Sequence, residues 1–189
     1  RNEKPGPGRY REFTQIDADT VGAKNFSADA DMCVLLADIL SKCGLNKNEY
    51  LIRISNRKLI QGLLEDLKIT NVSKKLTVIR AADKMDRVGI AGVKALLSKG
   101  RKDKSGDFTK GADLKEDQSE KIINFLTTDN FSKIVNLSSN STFKEGIDEL
   151  NKIFVLTKLS QFSDRIMFSP SIVRGIEYYT GAIFEANLL

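Results

Sequence analysis

The chain opens with RNEKPGPGRYREFTQIDADTVG (residues 1–22), and the part from residue 9 to residue 22 predicts a strand. Successive side chains of a strand point to opposite faces. One face of the predicted strand carries Arg9, Arg11, Phe13, Gln15, Asp17 and Asp19. The other carries Tyr10, Glu12, Thr14, Ile16, Ala18 and Thr20. The first face therefore places cations at one end and acids at the other.

A helix and a second strand are predicted to follow. Ser27 or Asp29 can cap a helix that runs from about residue 29 to residue 43, and Gly44 can end it. Its predicted apolar stripe consists of Met32, Leu35, Leu36, Ile39 and Leu40. A short strand is predicted over 50–55. The order of strand, helix and strand indicates a sheet with helices packed on it.

The middle of the chain, 56–142, has the patterns of short helices, and the polar stretch 99–113 within it is predicted to be mobile. The clearest apolar pattern comprises Leu59, Ile60, Leu63, Leu64 and Leu67. A longer helix is predicted over 143–162, through Phe143, Ile147, Leu150 and Phe154. The tail returns to strand patterns and ends in an apolar run, 182–189, that suits a buried strand.

These elements predict an α+β fold with two parts. Residues 1–55 and 143–189 are expected to form part of an antiparallel sheet with packed helices. Residues 56–142 are expected to form a mostly helical insertion. This insertion contains 17 Lys and Arg against 11 Asp and Glu, a net charge of +6 within a chain of net +5. That excess is typical of a polyanion-binding surface, although a solvated helical module with surplus lysine has the same composition.

Several chemistries are excluded by composition. The 189 residues contain no histidine, which rules out a Ser/His or Cys/His nucleophile pair and a His-ligated metal within them. Cys33 and Cys43 have the spacing of neither a disulfide framework nor a zinc site, and are predicted to be reduced core thiols in the cytoplasm. No apolar run has the length of a membrane span. The charged, Pro/Gly-rich start without Met indicates a piece of a longer protein.

The first stretch also has the residues of a phosphate site. Arg1 and Glu3, then a Pro/Gly loop at 5–8 and Arg9, describe half of a hairpin with a long tip. Arginine suits a triphosphate because its planar fork forms bidentate, charge-assisted hydrogen bonds. Gln15 and Asp19, further along the same face, suit a cationic substrate group. An amphipathic surface hairpin with scattered charges is the alternative.

A second stretch, VRGIEYYTG (173–181), combines an arginine, two glycines and two tyrosines. Gly175 lets backbone approach a ligand closely, and Arg174 can spread charge that develops on a leaving phosphate. Tyr178 and Tyr179 offer ring faces and hydroxyls. A glycine-broken strand with a core tyrosine pair is the alternative. Neither stretch matches a P-loop or a dinucleotide fingerprint.

Together the two stretches resemble a known family. R-x-E-K-P followed by G-R-Y-R-E-F and a glutamine resembles motif 2 of class II aminoacyl-tRNA synthetases, and R-G-I-E-Y-Y-T-G is similar to the histidine-binding signature of histidyl-tRNA synthetases. The middle resembles the helical insertion between these motifs, through NRKLIQGLL and AADKMDRVG. Ile176 and Glu177 stand where the signature usually has Leu and Asp.

The resemblance implies a role for each matching residue. The implied ATP contacts are Arg1 at the α-phosphate, Glu3 and Tyr10 at the adenine end, and Arg9 on the γ-phosphate side. The implied histidine contacts are Gln15, Asp19, Arg174, Tyr178 and Tyr179. Arg174 and Arg1 are the implied catalytic residues, and no protein-borne metal ligand is implied.

The implied activity is that of a histidine–tRNA ligase, with ATP, histidine and tRNA(His) as substrates and Mg²⁺ arriving with ATP. The whole protein is expected to be a cytoplasmic homodimer without a membrane partner. Class II motifs 1 and 3 and an anticodon-binding domain are not in the sequence, so the 189 residues alone are expected to be inactive. The alternatives are a non-catalytic paralogue, such as the ATP phosphoribosyltransferase regulatory subunit or a domain of a stress-sensing kinase, and a basic RNA-binding module.

Overall fold

A three-stranded sheet with helices on one face organises the chain. The computed structural model describes residues 4–7, 10–103, 106–175 and 178–189. Its elements are α1 (Ser27–Lys42), β1 (Tyr50–Asn56), α2 (Arg57–Asp66), α3 (Val72–Ala82), α4 (Met85–Leu97), β2 (Gly100–Lys102), β3 (Phe108–Lys110), α5 (Glu116–Thr127), α6 (Phe131–Ile134), α7 (Ser141–Thr157), β4 (Ile166–Phe168) and β5 (Ala182–Leu188). The α+β prediction is confirmed.

β1 is the central strand, with β4 on one side and β5 on the other. β5 pairs antiparallel to β1 over the whole of β1, from Tyr50 opposite Leu188 to Asn56 opposite Ala182. The short strand β4 is parallel to β1, with Ile52 opposite Ile166. The sheet is therefore mixed, with its longer ladder antiparallel as predicted.

The two faces of β1 differ in character. Tyr50, Ile52 and Ile54 are fully buried and point toward the helices, where α1 and α7 contact the sheet. Arg53 lies on the opposite face and is only partly buried. Apolar burial on one side thus fixes the strand, while its other side is left for polar chemistry.

Two closely packed helices, α2 and α7, form the largest helix interface. A Cβ on Gly62 would lie 2.5 Å from the backbone nitrogen of Phe143, so only glycine allows this approach. Both helices begin at an asparagine whose side chain accepts from the backbone, Asn56 from Lys58 N and Asn140 from Phe143 N.

The strand β1, the helix α2 and the start of α7 agree with the sequence predictions. Because α2 follows β1 without a linker and packs on α7, one hydrophobic core crosses the expected domain boundaries, and the division at 56–142 stays a prediction.

The first helix ends as predicted but buries a different face. Leu45 N donates to Leu40 O and Gly44 N to Ser41 O, with Gly44 at φ +93°, which is a Schellman ending. Its buried residues are Ala30, Cys33 and Ala37. The predicted stripe of larger residues is half-buried or exposed, because small side chains let the helix lie close to the sheet.

Four further predictions were wrong in part. Residues 10–22 form no strand: they pair with neither edge of the sheet and leave Ile16 84% and Val21 93% exposed, so no apolar burial fixes the segment as a strand. The stretch predicted to be mobile contains the β2–β3 hairpin. The longer helix ends at Thr157 instead of residue 162. The apolar tail is a strand, but an edge strand that is mostly half-buried rather than buried.

Candidate functional site

The site loop, which we define as the described parts of residues 173–181, joins β4 to β5. Val173 is 2% exposed and anchors its start in the core. Arg174 follows with φ +46°, a left-handed conformation that costs a non-glycine residue free energy. Strain of this kind persists only where surrounding contacts determine the backbone.

Those contacts come from Arg57, the first residue of α2, which is 3% exposed. Its Nη1 donates to Val173 O at 2.7 Å and to Arg174 O at 2.6 Å. Its backbone N donates to Gly181 O at 2.9 Å. One buried residue thus binds both ends of the site loop.

The Arg174 side chain lies over the polar face of the sheet. Its Nη1 is 3.0 Å from Glu185 Oε2, and the two side chains are 44% and 25% exposed. Glu185 is opposite Arg53 in the β1–β5 ladder, so this face carries two arginines and the carboxylate that pairs with Arg174. Arg53 also approaches Asp86 at 3.5 Å. The ion pair holds Arg174 in place while leaving its guanidinium accessible to a ligand.

Tyr178 and Tyr179 form a stacked pair, with ring centroids 4.4 Å apart. The Tyr178 hydroxyl donates to the Tyr179 hydroxyl at 3.1 Å. That hydrogen bond, with some help from the Tyr179 charge and burial, raises the pKa of Tyr178, while the positive charge of Arg174 opposes the rise. The structure therefore brings Arg174, Tyr178 and Tyr179 together on one loop.

The remaining predicted site residues are not assembled with this loop. Tyr10 is 68% exposed, and Gln15 donates to Asp17 rather than facing the loop. Asp19 is exposed in the same irregular segment. Arg1, Glu3 and Arg9 lie outside the described residues, so their predicted roles stay predictions.

A charged cavity of about 400 Å³ lies at the end of the site loop, beside Thr180 and Gly181. Lys58 bonds Glu149 at 2.6 Å and Glu145 at 2.5 Å. Burial lowers the Lys58 pKa, but these two bonds outweigh it and the net change is upward. Burial, and then the charge of Glu149, raises the pKa of Asp29.

A basic groove extends from the site loop along α3. We define it by five cations that line two adjoining cavities of about 700 and 190 Å³: Lys74, Lys99, Lys110, Arg80 and Lys84. A Cβ on Gly175 would lie 3.5 Å from Arg80 Cγ and 3.3 Å from Asp83 Oδ2. The groove therefore ends against the site loop.

The described residues contain neither a cluster of metal ligands nor a helix suited to a membrane. No three His, Cys, Asp or Glu side chains in the described ranges come together as metal ligands. None of the helices in those ranges has the length and apolar composition needed to cross a membrane. Both cysteines are free; Cys33 is buried as predicted, but the core position predicted for Cys43 is wrong, because Cys43 lies beyond the last turn of α1 and is exposed.

Sequence reasoning did not identify Arg57, Glu185 and Arg80 as site residues. Arg57 lies in the quoted segment NRKLIQGLL, where the pattern of a buried strand passes directly into that of a helix. An arginine at such a junction is expected to be buried and therefore to hydrogen-bond another part of the chain. Glu185 interrupts the apolar run of the tail. Arg80 has no distinguishing signal in the sequence.

Comparisons with known proteins agree with this architecture. Residues 1–187 match the family model described as histidyl-tRNA synthetase. Curated relatives include a histidine–tRNA ligase of Brucella ovis, 48% identical over 199 residues, and one of Rhizobium meliloti, 47% identical over 197 residues. Each alignment covers 100% of this chain, and the chain spans 40% and 39% of the lengths of these relatives.

Solved structures share the fold. A histidyl-tRNA synthetase from Nostoc superposes with a TM-score of 0.71 at 24% identity, over 88% of this chain and 37% of that one. An ATP phosphoribosyltransferase regulatory subunit/histidyl-tRNA synthetase from Bacillus halodurans gives 0.67 at 19% identity, over 88% and 40%. Since the family match extends over nearly every residue, the chain belongs to the histidyl-tRNA synthetase family.

Proposed function

We propose that the protein containing this chain activates histidine with ATP and transfers it to tRNA(His). The observation that carries the proposal is the preorganised guanidinium of Arg174, fixed by Glu185 beside the stacked pair of Tyr178 and Tyr179. The names of the curated relatives support the same activity. No observation favours the regulatory paralogue, because the relatives at 45–48% identity are named as ligases.

In the proposed first step, a carboxylate oxygen of histidine attacks the α-phosphorus of ATP. The bond from that phosphorus to the bridging oxygen breaks, and pyrophosphate leaves. Arg174 exchanges Glu185 for the α-phosphate and the histidine carboxylate, and its planar fork stabilises the charge that develops there. Such a reaction depends on alignment and charge stabilisation more than on a side-chain base.

The other substrate contacts complete the proposal. Tyr178 and Tyr179 line the histidine pocket, together with Gln15 and Asp19 once the segment 10–22 has folded against the sheet. Arg1, also catalytic, together with Glu3, Arg9 and Tyr10, binds ATP. Mg²⁺ enters bound to the ATP phosphates and neutralises part of their charge.

Histidine-dependent exchange of pyrophosphate into ATP tests this activity. The protein containing these residues should catalyse exchange with histidine and not with the other standard amino acids. Asp19→Ala should raise KM for histidine much more than KM for ATP, because Asp19 is placed at the amino acid. Asp31→Ala, at an exposed position on α1, is the matched control and should change neither. Equal effects of Asp19→Ala on both substrates would contradict the placement of the pocket.

The tRNA partner is assigned to the 56–142 insertion, through the basic groove. In the second step, a hydroxyl of the terminal adenosine attacks the histidyl carbonyl and AMP leaves, so the acceptor end must reach the site loop. The groove carries five cations and ends at Gly175, which supports an approach along α3. We place this reaction in a cytoplasmic homodimer.

Replacing Lys74, Lys99 and Lys110 together by glutamine tests the groove. The salt dependence of tRNA binding should fall by about 2–3 units of slope, since each phosphate contact contributes roughly 0.7–0.9. Pyrophosphate exchange should be unchanged. The same replacement at Lys42, Lys47 and Lys158, which lie outside the groove, is the control of equal charge. Equal losses of tRNA affinity in the two triple variants would contradict the assignment.

A further inference from the structure

We propose that Arg57 is a positioning residue that sets the conformation of the site loop and thereby aims Arg174. The inference rests on the proposed catalytic role of Arg174 and adds a residue that does not itself touch substrate. It follows from the place of Arg57 at the junction of β1 and α2, where its backbone is fixed by both elements.

The geometry gives Arg57 control over both ends of the loop. Its Nη1 lies within 2.7 Å of the two successive carbonyl oxygens of Val173 and Arg174. Its backbone N–H holds Gly181 O at the other end. The two guanidinium bonds are charge-assisted, short and buried, and such bonds are strong. Together with the backbone bond to Gly181, they hold both ends of the loop in place.

The bond to Arg174 O also explains how a non-glycine residue stays at φ +46°. Rotation of Arg174 out of the left-handed region would turn its carbonyl away from Arg57 and leave a buried cation with a lost partner. That cost exceeds the strain of the conformation. In this conformation the Arg174 side chain meets Glu185 on the polar face of the sheet. Relaxation of the backbone would therefore move the guanidinium away from the α-phosphate.

A double-mutant cycle in the protein that contains this chain tests the inference. Arg57→Lys keeps the charge, but its side chain is shorter than that of arginine, so its ammonium cannot reach the place that Nη1 holds between the two carbonyl oxygens. The substitution should lower kcat for adenylate formation about 10- to 100-fold with KM for ATP nearly unchanged. In the Arg174→Ala background the same substitution should cause no further loss beyond about 2-fold, because Arg57 acts through Arg174. A merely structural role would lower the rate in both backgrounds and would lower the thermal midpoint in proportion.

The outcomes separate the two claims. If Arg174→Ala retains near-normal exchange, the proposed function of Arg174 fails and this inference falls with it. If Arg174→Ala is inactive but Arg57→Lys is near normal, or if the losses add, Arg57 is not a positioning residue.

If Arg57→Lys does not fold, the exchange of guanidinium protons with water in the wild-type protein tests the inference instead. Nitrogen-resolved NMR should show guanidinium protons of Arg57 exchanging far more slowly than those of the exposed Arg87. Equal exchange rates would mean that the bonds to Val173 and Arg174 are not held in solution, and would overturn the inference.

Discussion

Replacing Arg174 with glycine and with alanine should give two proteins of different stability. At φ +46° an alanine keeps a backbone penalty of roughly 1–2 kcal/mol, which glycine avoids. Glycine in turn stabilises the unfolded chain by about 0.4–1 kcal/mol through its greater freedom. Both variants lose the ion pair with Glu185, which is partly exposed and contributes about 0–1 kcal/mol. This last loss is common to the two variants and cancels between them.

The glycine variant should therefore be more stable than the alanine variant by about 0.5–1 kcal/mol. For a chain of this size that difference corresponds to about 1–4 °C in Tm. Urea unfolding followed by circular dichroism measures it, provided that the two variants show the same denaturant dependence. Lys158, at φ −61° beyond the last turn of α7, is the matched control, where alanine should be the more stable replacement. Equal stability at Arg174, or a more stable alanine variant, would refute the positive φ on which the positioning argument depends.

Three further outcomes follow from named contacts. Gly62→Ala should destabilise the chain by about 1–2 kcal/mol net of its gain in helix propensity, because α7 blocks the new methyl group; Gly6→Ala, with open space around it, should change the unfolding free energy by less than about 0.5 kcal/mol. Burial raises the pKa of Cys33 to about 12, so iodoacetamide at about pH 8 should modify Cys43 alone in the folded chain. Because the thiol of Cys33 ionises more readily in the unfolded chain, its burial stabilises the fold fully below the ordinary thiol pKa, and this stabilisation should be lost as the pH rises toward 12. Glu185→Gln should change Tm little, since the pair is partly exposed, but should lower the adenylation rate; an unchanged rate would remove Glu185 from the site.

The parts of the fold that were predicted are those in which local pattern and packing agree. Leu59, Ile60, Leu63 and Leu64 repeat with helical period and are all buried in α2. From Tyr50 to Ile54 β1 alternates between buried and half-buried residues, as expected for a strand with one buried face, while Ser55 and Asn56 at its end are both buried. Such elements carry their own signal.

The incorrect predictions concern features that depend on a distant partner. A strand over 9–22 needs a partner strand, and in the described part of the chain residues 10–22 pair with neither edge of the sheet. The buried face of α1 was misjudged because its largest apolar residues are not the ones nearest the sheet; Cys33 and Ala37 are. The first prediction depended on a partner strand and the second on how closely α1 approaches the sheet, and a local sequence pattern shows neither.

The site divides in the same way. Arg174 and the tyrosine pair were found through a continuous motif. Arg57 bonds Val173 across 116 positions of sequence, so only the folded chain reveals that it fixes the loop. The residues proposed to contact substrate were therefore predictable from local sequence, whereas the residue that holds their loop in place was not.

The catalytic role of Arg174 is tested best by the rate of adenylate formation by Arg174→Ala in the protein that contains this chain. This rate should fall by at least about 100-fold, with Tm nearly unchanged because the Arg174 side chain is partly exposed. Arg174→Lys should recover the rate only partly, because its ammonium cannot replace the planar fork of the guanidinium. A near-normal rate in a folded Arg174→Ala protein, or unfolding of that variant, would contradict the claim that Arg174 acts on the reacting phosphate.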